Sequence, residues 1–371
     1  MIFVNNTEPL LGIVPFEAVN KVLQCWSQEL WFTSYECWDC WEIKHIPFTC
    51  KSRFCNSCGK PLSDIWINHL TSRRPKHLQY YHLAFTIPEE LRNFFKRHRK
   101  VLKKLPQVAS NSVIYFFQKK YKCTPWILSV IHTFWAKLNW NPHTHLMISS
   151  WGLTKENIYK SIGFLPYIWI IESRKRYLIK HLNNRCDNNL YGDELIGEKR
   201  LLRSLYSQKN DISWEDKSRY IYFSKKADNF EIVLSYIGRY LKRPIIAQSR
   251  ILAYDGTNVT YSYKDKYDGE IKTITVSAIE FIGYLIQHIP NKFFKMIYYS
   301  WIFVNRSKNK YLKIINTYYN NQQKLPKIGK NFRERIFMFT GKDPLKCSCW
   351  WYFHKYQTII PWYKPKYFDS S

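Results

Sequence analysis

Short runs of alternating apolar and polar residues, separated by stretches with helical periodicity, set the pattern of this chain. Strands are predicted at YHLAFT (81–86), WILSVIHTFWA (126–136) and PHTHLMIS (142–149). The last two strands are joined by a short turn, so we expect them to form an antiparallel pair. Apolar residues that recur every three to four positions predict helices after Pro88, over 164–185 and over 228–243.

The C-terminal third opens with a segment that alternates on both sides of a glycine-containing turn, NVTYSYKDKYDGEIKTITV (258–276). This pattern predicts a β-hairpin. Ser277 and Glu280 then form a capping box, which predicts the start of a helix. Residues 186–226 are polar without clear periodicity, and we interpret them as an insertion with mixed, partly helical structure.

Five of the ten cysteines crowd into the segment 37–58. Two C-x-x-C pairs stand there, and each can wrap a tight turn around one ion, so the spacing predicts a structural Zn²⁺ site. The candidate ligands are Cys37, Cys40, Cys55 and Cys58, with Cys50 as a fifth that could replace one of them. Buried free thiols would not explain the paired spacing.

The overall organisation is therefore predicted to be α+β in three segments. Residues 1–75 form a zinc ribbon, residues 76–250 form a catalytic domain that contains the insertion at 186–226, and residues 251–371 form a hairpin and helical region. In the tail, Cys347 and Cys349 are spaced too tightly for an ordinary zinc knuckle. Nothing in the tail requires a second zinc ion.

Charge and aromatic content both point to nucleic acid as the partner. The formal net charge is +29, from 57 Lys and Arg against 28 Asp and Glu, and 18% of the residues are aromatic. An excess of cations favours a polyanion, and basic grooves with aromatic rings suit single strands, whose bases can stack. Codon bias in a low-GC genome contributes lysines but explains the 15 tryptophans less well.

Several cations are candidates for contact with DNA phosphates. The run between Arg92 and Lys104 holds seven cations without an acidic residue, which favours phosphate contact over a merely solvated face. The DNA-binding candidates in the whole chain are Arg53, Arg97, Lys100, Arg239, Lys242 and Arg243.

Two histidines provide a candidate catalytic metal site. His143 and His145 alternate in LNWNPHTHLMI, and strand side chains have a period of two, so both imidazoles leave the same face. Neutral imidazoles on a rigid strand can bind a metal and leave room for substrate oxygens. His132, on the preceding strand, could face the same metal or be a partnered histidine of the sheet.

Two tyrosines on the predicted helix 228–243 are candidate nucleophiles. Tyr236 and Tyr240 lie four residues apart, which places them about 40° apart on the flank of the buried stripe. A pair at this spacing is more often the rim of a core, but the surrounding basic residues favour function.

Histidines that bind a metal and face tyrosines suit phosphodiester transesterification. Mg²⁺ or Mn²⁺ would polarise the scissile phosphate, and a nearby cation would activate a tyrosine hydroxyl, whose reference pKa is about 10. Attack would leave a 5′-phosphotyrosine and a free 3′-OH. The covalent bond stores the energy for rejoining, so ATP is not required.

The chain resembles the rolling-circle HUH transposases of the IS91 type over about residues 37–346. The motifs that carry this resemblance are FTCKSRFCNSCGK, HLAFTIPEELR, LNWNPHTH, YIGRYLKRPI, YKDKYDG and FTGKDPLKC. The resemblance implies a palm-like antiparallel sheet backed by helices, with His143 and His145 as metal ligands. It also implies Tyr236 and Tyr240 as nucleophiles, of which Tyr240 ranks first because some relatives keep only the second tyrosine. His132 is inferred from strand pairing alone.

The resemblance further implies cleavage and joining of single-stranded DNA at transposon ends and target, with host helicase or replication proteins as partners. Three other functions remain open: a plasmid replication initiator or relaxase, a zinc-ribbon DNA-binding protein or inactive remnant, and a zinc hydrolase. The last is disfavoured because no His-Glu helix motif accompanies the histidines.

The sequence also gives an expectation for where in the cell the protein acts. The start of the chain lacks the basic residues and apolar run of a signal peptide, and the longest apolar stretch is too short to span a bilayer. Ten cysteines without an export signal predict metal sites or reduced thiols. We expect a bacterial cytoplasmic protein associated with the nucleoid and not with membrane.

Overall fold

The computed structural model of the chain describes its main elements with gaps. The described residues are 13–25, 27, 31–52, 54–71, 79–87, 89–163, 165, 221–227, 233–238, 244–265, 268–291, 293–300 and 341–359, with single helical positions within 170–181, 311–317 and 333–337. The helix expected over 164–185 and most of the expected insertion therefore lie outside the described residues.

The described elements are helices and antiparallel strands in one mixed α+β fold. The helices are α1 (Ile13–Leu23), α2 (Asn56–Thr71), α3 (Glu89–Arg97), α4 (Arg99–Leu102), α5 (Leu105–Tyr121) and α6 (Ala278–Ile286). The strands are β1 (Phe32–Cys37), β2 (Ile43–Pro47), β3 (Tyr80–Thr86), β4 (Thr124–Phe134), β5 (Trp140–Leu153), β6 (Tyr159–Ser161), β7 (Ile221–Ala227), β8 (Ile251–Tyr254), β9 (Asn258–Lys264), β10 (Ile271–Ser277), β11 (Ile297–Ser300) and β12 (Phe353–Ile359).

The chain divides into two units. The cysteine unit comprises Met1–Ser72, Lys242–Ser249 and Leu325–Ser371, and the histidine unit comprises Arg73–Leu241 and Arg250–Lys324. The segment expected as one region, 251–371, is thus shared between the two units. No helix in the described part of the chain has the length and apolar character needed to cross a bilayer.

The histidine unit is built on a six-stranded antiparallel sheet. Its strands follow the order β11-β4-β5-β3-β7, and β6 pairs with the far end of β5. Every residue of β5 is buried, as expected for a central strand covered on both faces. The expected pairing of β4 with β5 is confirmed, with His132 directly opposite His143. Strand β7 shows that the last residues of the expected insertion belong to this sheet.

One face of this sheet packs against α5. Leu146 and Ile148 of β5 join Leu83 of β3 and Phe117 of α5 in a single buried cluster. Because side chains alternate along a strand, His145, which precedes Leu146, and Met147, which follows it, leave the opposite face of the sheet. The packing of this apolar face therefore fixes the direction in which the histidines point.

The helix expected after Pro88 is divided in the structure. Helix α3 ends at Arg97, His98 leaves helical geometry with φ −106° and ψ 65°, and α4 ends before Lys103. A new helix, α5, begins at Leu105 with a proline in its first turn. Proline fits the first turn but not the interior of a helix, which accounts for the separate start.

The C-terminal hairpin of the histidine unit is confirmed, and a third strand joins it. Strands β9 and β10 pair in antiparallel register from Asn258↔Ser277 to Lys264↔Ile271, and β8 pairs with the other edge of β9. The predicted cap is present, because the hydroxyl of Ser277 accepts a hydrogen bond from the backbone N–H of Glu280. The cysteine unit contains a second three-stranded antiparallel sheet, in the order β12-β1-β2.

Gly152 in β5 occupies a position without room for a side chain. A Cβ there would lie 2.8 Å from both the Sγ of Cys123 and the backbone oxygen of Thr124. We predict that Gly152→Ala destabilises the histidine unit by about 1–3 kcal/mol, because the core must shift to accept the methyl group. Thermal or urea unfolding followed by tryptophan fluorescence measures the effect.

Gly163 provides the matched control. A Cβ at Gly163 would meet no atom within 4 Å, so Gly163→Ala should leave the unfolding midpoint nearly unchanged. Equal effects of the two substitutions would contradict the tight packing at Gly152.

Candidate metal centre and catalytic site

Three buried histidines converge on the sheet face opposite α5. One ring nitrogen each from His132, His143 and His145 lie within 4.8 Å of one another. The ring centroids of His132 and His145 are 4.4 Å apart, and those of His143 and His145 are 4.9 Å apart. The arrangement follows from the strand register, since His132 lies opposite His143 and His145 is two residues further along β5.

The hydrogen bonds of His143 leave one nitrogen available to a metal. Its Nδ1 lies 2.8 Å from the backbone oxygen of Asn141. A carbonyl oxygen only accepts hydrogen bonds, so Nδ1 must carry the proton and Nε2 must carry a lone pair. A histidine ligand that donates its other ring N–H to a carbonyl is the usual arrangement in metal sites.

His82 lies within hydrogen-bonding distance of His145 and can accept a hydrogen bond from its Nδ1. The Nε2 of His82, on β3, lies 2.9 Å from the Nδ1 of His145, and the two rings stack with centroids 5.1 Å apart. The Nε2 of His145 is buried and has no hydrogen-bond partner among the described residues. An unsatisfied buried ring nitrogen beside two other imidazoles fits a metal ligand.

Burial keeps these imidazoles neutral. It lowers the pKa of His82 and of His143 to about 4, and it lowers the pKa of His145 well below the ordinary value, with further lowering by the neighbouring histidines. Only a neutral imidazole offers a lone pair to a metal. At neutral pH His143 and His145 are therefore already in the protonation state that metal binding requires.

Tyr236 lies beside the histidine cluster. Residues 233–238 are helical, with Leu234 and Ile237 buried and Tyr236 41% exposed. The ring centroid of Tyr236 is 5.6 Å from that of His145 and 6.0 Å from that of His82, both in edge-on geometry. Its partly exposed side chain can therefore reach both the cluster and solvent.

The cysteine unit contains two separate groups of four cysteines. One group comprises Cys25, Cys50, Cys55 and Cys58, and the other comprises Cys37, Cys40, Cys347 and Cys349. The single site expected from the two C-x-x-C pairs is thus not the observed arrangement, because the structure does not bring these pairs together. Each pair instead meets cysteines that are distant or irregularly spaced in the sequence.

The first group has the geometry of a zinc site. The Sγ of Cys58 lies 3.5 Å from that of Cys25 and 3.7 Å from that of Cys50, far beyond a disulfide bond of about 2.05 Å. The backbone N–H groups of Cys50 and Ser52 point at sulfur atoms, each at 3.4 Å. Such N–H···S contacts stabilise thiolates that bind a metal.

Sequence reasoning missed four residues of these clusters. His82 alternates with Leu83 and Phe85 in a strand that was predicted, but only the pairing of β3 with β5 brings it to His145. Cys25 lies outside any C-x-x-C pair, and Cys347 and Cys349 have a spacing that argued against a zinc knuckle. The available signal was the count of cysteines, which is enough for two four-cysteine sites.

Only part of the expected DNA-binding set falls within the described residues. Arg97 and Lys100 are exposed at the ends of neighbouring helices. Arg99, between them, is half-buried and donates hydrogen bonds to the backbone oxygens of Ile289 and Gln287, at 2.6 and 2.5 Å. Five expected site residues lie outside the described residues, namely Arg53, Arg239, Tyr240, Lys242 and Arg243.

Comparison with known proteins assigns a class to this combination of sites. A family model described as "Transposase zinc-binding domain" matches residues 14–87, and one described as "Putative transposase" matches residues 127–310. The first range contains six of the clustered cysteines, and the second contains the three histidines and Tyr236. No solved structure matches the chain.

Two curated proteins are similar over most of their length. The chain is 29% identical over 346 residues to the transposase for insertion sequence element IS801 of Pseudomonas savastanoi pv. phaseolicola, which covers 90% of this chain and 81% of that protein. It is 24% identical over 314 residues to the "Putative transposase y4qJ" of Sinorhizobium fredii, which covers 81% of this chain and 77% of that protein.

A zinc-binding module followed by a transposase module defines the class as insertion-sequence transposases, enzymes that bind and process DNA. Within that class, the chain belongs to the IS91-type transposases. The zinc-binding module and the cysteine groups together indicate structural zinc.

The lowered pKa values predict how the metal-free cluster responds to acid. The pKa of His143 is about 4 in the folded chain and about 6.5 in the unfolded chain, so the unfolded chain binds more protons between these values. Stability should therefore fall on acidification through this window, by about 1.4 kcal/mol per pH unit for each such imidazole.

Imidazole NMR shifts, assigned with His143→Asn, check this directly. The His143 ring should keep its neutral shifts as the pH falls from about 7.5 to about 5.5. A midpoint near 6.5 would show that the ring is not buried as described.

Proposed function

We propose that this transposase cleaves and rejoins single-stranded DNA at the ends of its element through a 5′-phosphotyrosine intermediate. A divalent metal held by His132, His143 and His145 would assist the reaction. The contact of Tyr236 with His145 carries the proposal, because it joins a candidate nucleophile to a candidate metal site. The HUH-type palm is the corresponding fold proposal, supported by the antiparallel sheet that bears the histidines.

The ligand atoms that the cluster offers support binding of a divalent metal and favour Mn²⁺ over Mg²⁺. Two of the imidazoles have an available nitrogen: Nε2 of His143 by its tautomer, and Nε2 of His145 by its missing partner among the described residues. Among the described residues the cluster contains no carboxylate. Mg²⁺ prefers oxygen ligands, so of the two ions considered an all-imidazole set favours Mn²⁺ over Mg²⁺. Either ion, when bound, would polarise the scissile phosphate.

Tyr236 and Tyr240 share the role of candidate nucleophile. Tyr236 is supported by its ring contacts with His82 and His145 and by its exposure. Tyr240 lies outside the described residues, and its candidacy rests on its four-residue spacing from Tyr236 in the sequence. Two tyrosines could hold two strand ends in turn, which joining of an element to its target requires.

The bonds of the proposed step balance without a cofactor that supplies energy. The phenol of a tyrosine loses its proton, and its oxygen forms a bond to the phosphorus. The bond from phosphorus to the 3′ oxygen breaks, and that oxygen takes up a proton to become a free 3′-OH. Rejoining is the reverse attack by a 3′-OH on the phosphotyrosine, so the number of phosphodiester bonds is conserved.

Other parts of the chain would bind the substrate. Arg97 and Lys100, which are exposed, are proposed to contact phosphates, as are Arg53, Arg239, Lys242 and Arg243. Host helicase or replication proteins would supply the single strands. Action in the bacterial cytoplasm, at the nucleoid, belongs to the same proposal.

The alternatives are weakened by specific observations. An inactive remnant has no need to keep three converging imidazoles next to a tyrosine. A plasmid initiator or relaxase would share the chemistry. However, the two curated relatives are both named as transposases, and the chain matches them over 77–81% of their length.

Covalent trapping of DNA tests the proposed chemistry. With labelled single-stranded oligonucleotides that span the element's ends, we predict a protein–DNA adduct that requires Mn²⁺ or Mg²⁺ and resists denaturant. One of the two substitutions, Tyr236→Phe or Tyr240→Phe, should abolish the adduct and so identify the nucleophile, because phenylalanine lacks the attacking oxygen. Mn²⁺ should act at a lower concentration than Mg²⁺, owing to the nitrogen ligands.

Controls separate loss of chemistry from loss of folding. Tyr115→Phe, at an exposed tyrosine on α5, should leave the adduct unchanged. Tight binding of authentic ends without any adduct would overturn the catalytic proposal and leave a DNA-binding protein.

His82 is predicted to position His145. His82→Phe keeps the ring volume but removes the nitrogen that lies 2.9 Å from His145. We expect about a 10- to 100-fold loss of Mn²⁺ affinity, with partial recovery of adduct formation at high Mn²⁺. His82→Gln, which can still accept a hydrogen bond, should restore part of the affinity. Normal Mn²⁺ affinity in His82→Phe would show that His82 has no positioning role.

A further inference from the structure

The second group of cysteines connects segments that are far apart in the chain. Cys37 and Cys40 lie at the end of β1, whereas Cys347 and Cys349 lie just before β12. The Sγ atoms of Cys37 and Cys349 are 3.4 Å apart, and those of Cys40 and Cys347 are 3.5 Å apart. All four sulfur atoms lie within 4.8 Å of one another.

We propose that these four cysteines bind a second structural zinc ion, which ties the C-terminal segment to the N-terminal ribbon. A tetrahedral site with Zn–S bonds of about 2.3 Å places its sulfurs about 3.8 Å apart, close to the observed spacing. A disulfide would require about 2.05 Å. Cys347 and Cys349 lie outside both ranges that match known families, so neither match assigns them a role.

The backbone around both cysteine pairs has the shape of a metal-binding turn. Trp41 follows Cys40 with φ 60°, and Trp350 follows Cys349 with φ 77°. A bulky residue with positive φ is uncommon, and it persists only when its surroundings require it. Packing of the indole rings does not impose the positive φ, because Trp41 and Trp350 are 70% and 78% exposed. Convergence of the neighbouring sulfur atoms on one metal ion would impose it.

A backbone hydrogen bond closes each turn, over four residues in one and over three in the other. The N–H of Trp41 donates to the oxygen of Cys37 at 2.8 Å, and the N–H of Trp350 donates to the oxygen of Cys347 at 3.1 Å. The N–H of Cys347 donates in turn to the oxygen of Trp351 at 2.8 Å. The close C-x-C spacing is therefore accommodated by a tight turn that still directs both sulfurs inward.

The pairing of β1 with β12 brings the two halves of the proposed zinc site together in the cysteine unit. Cys37 pairs with Phe353 in the register of β1 and β12, and Phe353 packs beside Cys37 and Cys347 in a small buried cluster. This cluster alone is small, so a metal would supply much of the stabilisation. Because the loop that the ion closes is very long, the constraint on the unfolded chain is large.

Zinc stoichiometry tests the proposal. The parent protein carries His143→Ala and His145→Ala, so that the histidine cluster does not contribute zinc. We expect two zinc ions per chain by elemental analysis, and one after Cys347→Ser with Cys349→Ser. Cys123→Ser, at a buried cysteine outside both groups, should retain two. One zinc in the parent, or two in the double-serine variant, would overturn the proposal.

A second measurement does not depend on folding of a variant. In the unmodified protein, Cys347 and Cys349 should resist alkylation until a chelator is added, and should then react together with Cys37 and Cys40. Labelling of Cys347 and Cys349 in the zinc-loaded protein would contradict the site. Neither result depends on DNA cleavage, so the zinc proposal can fail or succeed independently of the catalytic one.

Discussion

The antiparallel register of β3, β4 and β5 is the constraint on which the candidate catalytic site depends. This register places His132 opposite His143, and brings His82 within hydrogen-bonding distance of His145. A slip by one residue would turn the histidines toward α5 and the apolar residues away from it. The register is held by the buried face formed with Leu146 and Ile148, so apolar packing on one side of the sheet determines polar chemistry on the other.

Burial of these histidines determines their protonation state. The imidazole of His143, whose pKa is lowered to about 4 by burial, stays neutral at neutral pH, which is the form that the proposed metal site requires. The tautomer of His143 is fixed by a backbone carbonyl, and that of His145 depends on its neighbour His82. Tyr236 adds a hydroxyl-bearing side chain that is open to solvent, because it alone among these side chains is substantially exposed.

Local sequence patterns correctly predicted the features that depend on residues close together in the chain. The alternation of His143 and His145, the pairing of their strand with β4, the hairpin of β9 and β10, and the cap at Ser277 were all predicted from neighbouring residues. These structural predictions needed only spacing and residue type. The resemblance to IS91-type transposases, which rested on long and ordered motifs, is confirmed by the family models and by the similar transposase.

The parts that were missed depend on contacts between distant residues. The two C-x-x-C pairs appeared to complete one site, but Cys37 and Cys40 meet Cys347 and Cys349 through the pairing of β1 with β12. His82 was likewise invisible until β3 was paired with β5. The helix expected after Pro88 is interrupted at His98, and the recurrence of apolar residues every three to four positions does not reveal such an interruption.

The central claim is that imidazole nitrogens of this cluster bind the divalent metal. Pulsed electron paramagnetic resonance of Mn²⁺ added to the protein tests it most directly, because it detects nitrogen nuclei that coordinate the ion. The account predicts histidine nitrogen couplings that weaken or disappear in His145→Ala and persist unchanged in His69→Ala, at a histidine outside the cluster. Bound Mn²⁺ without nitrogen couplings, or with couplings unchanged in His145→Ala, would contradict it.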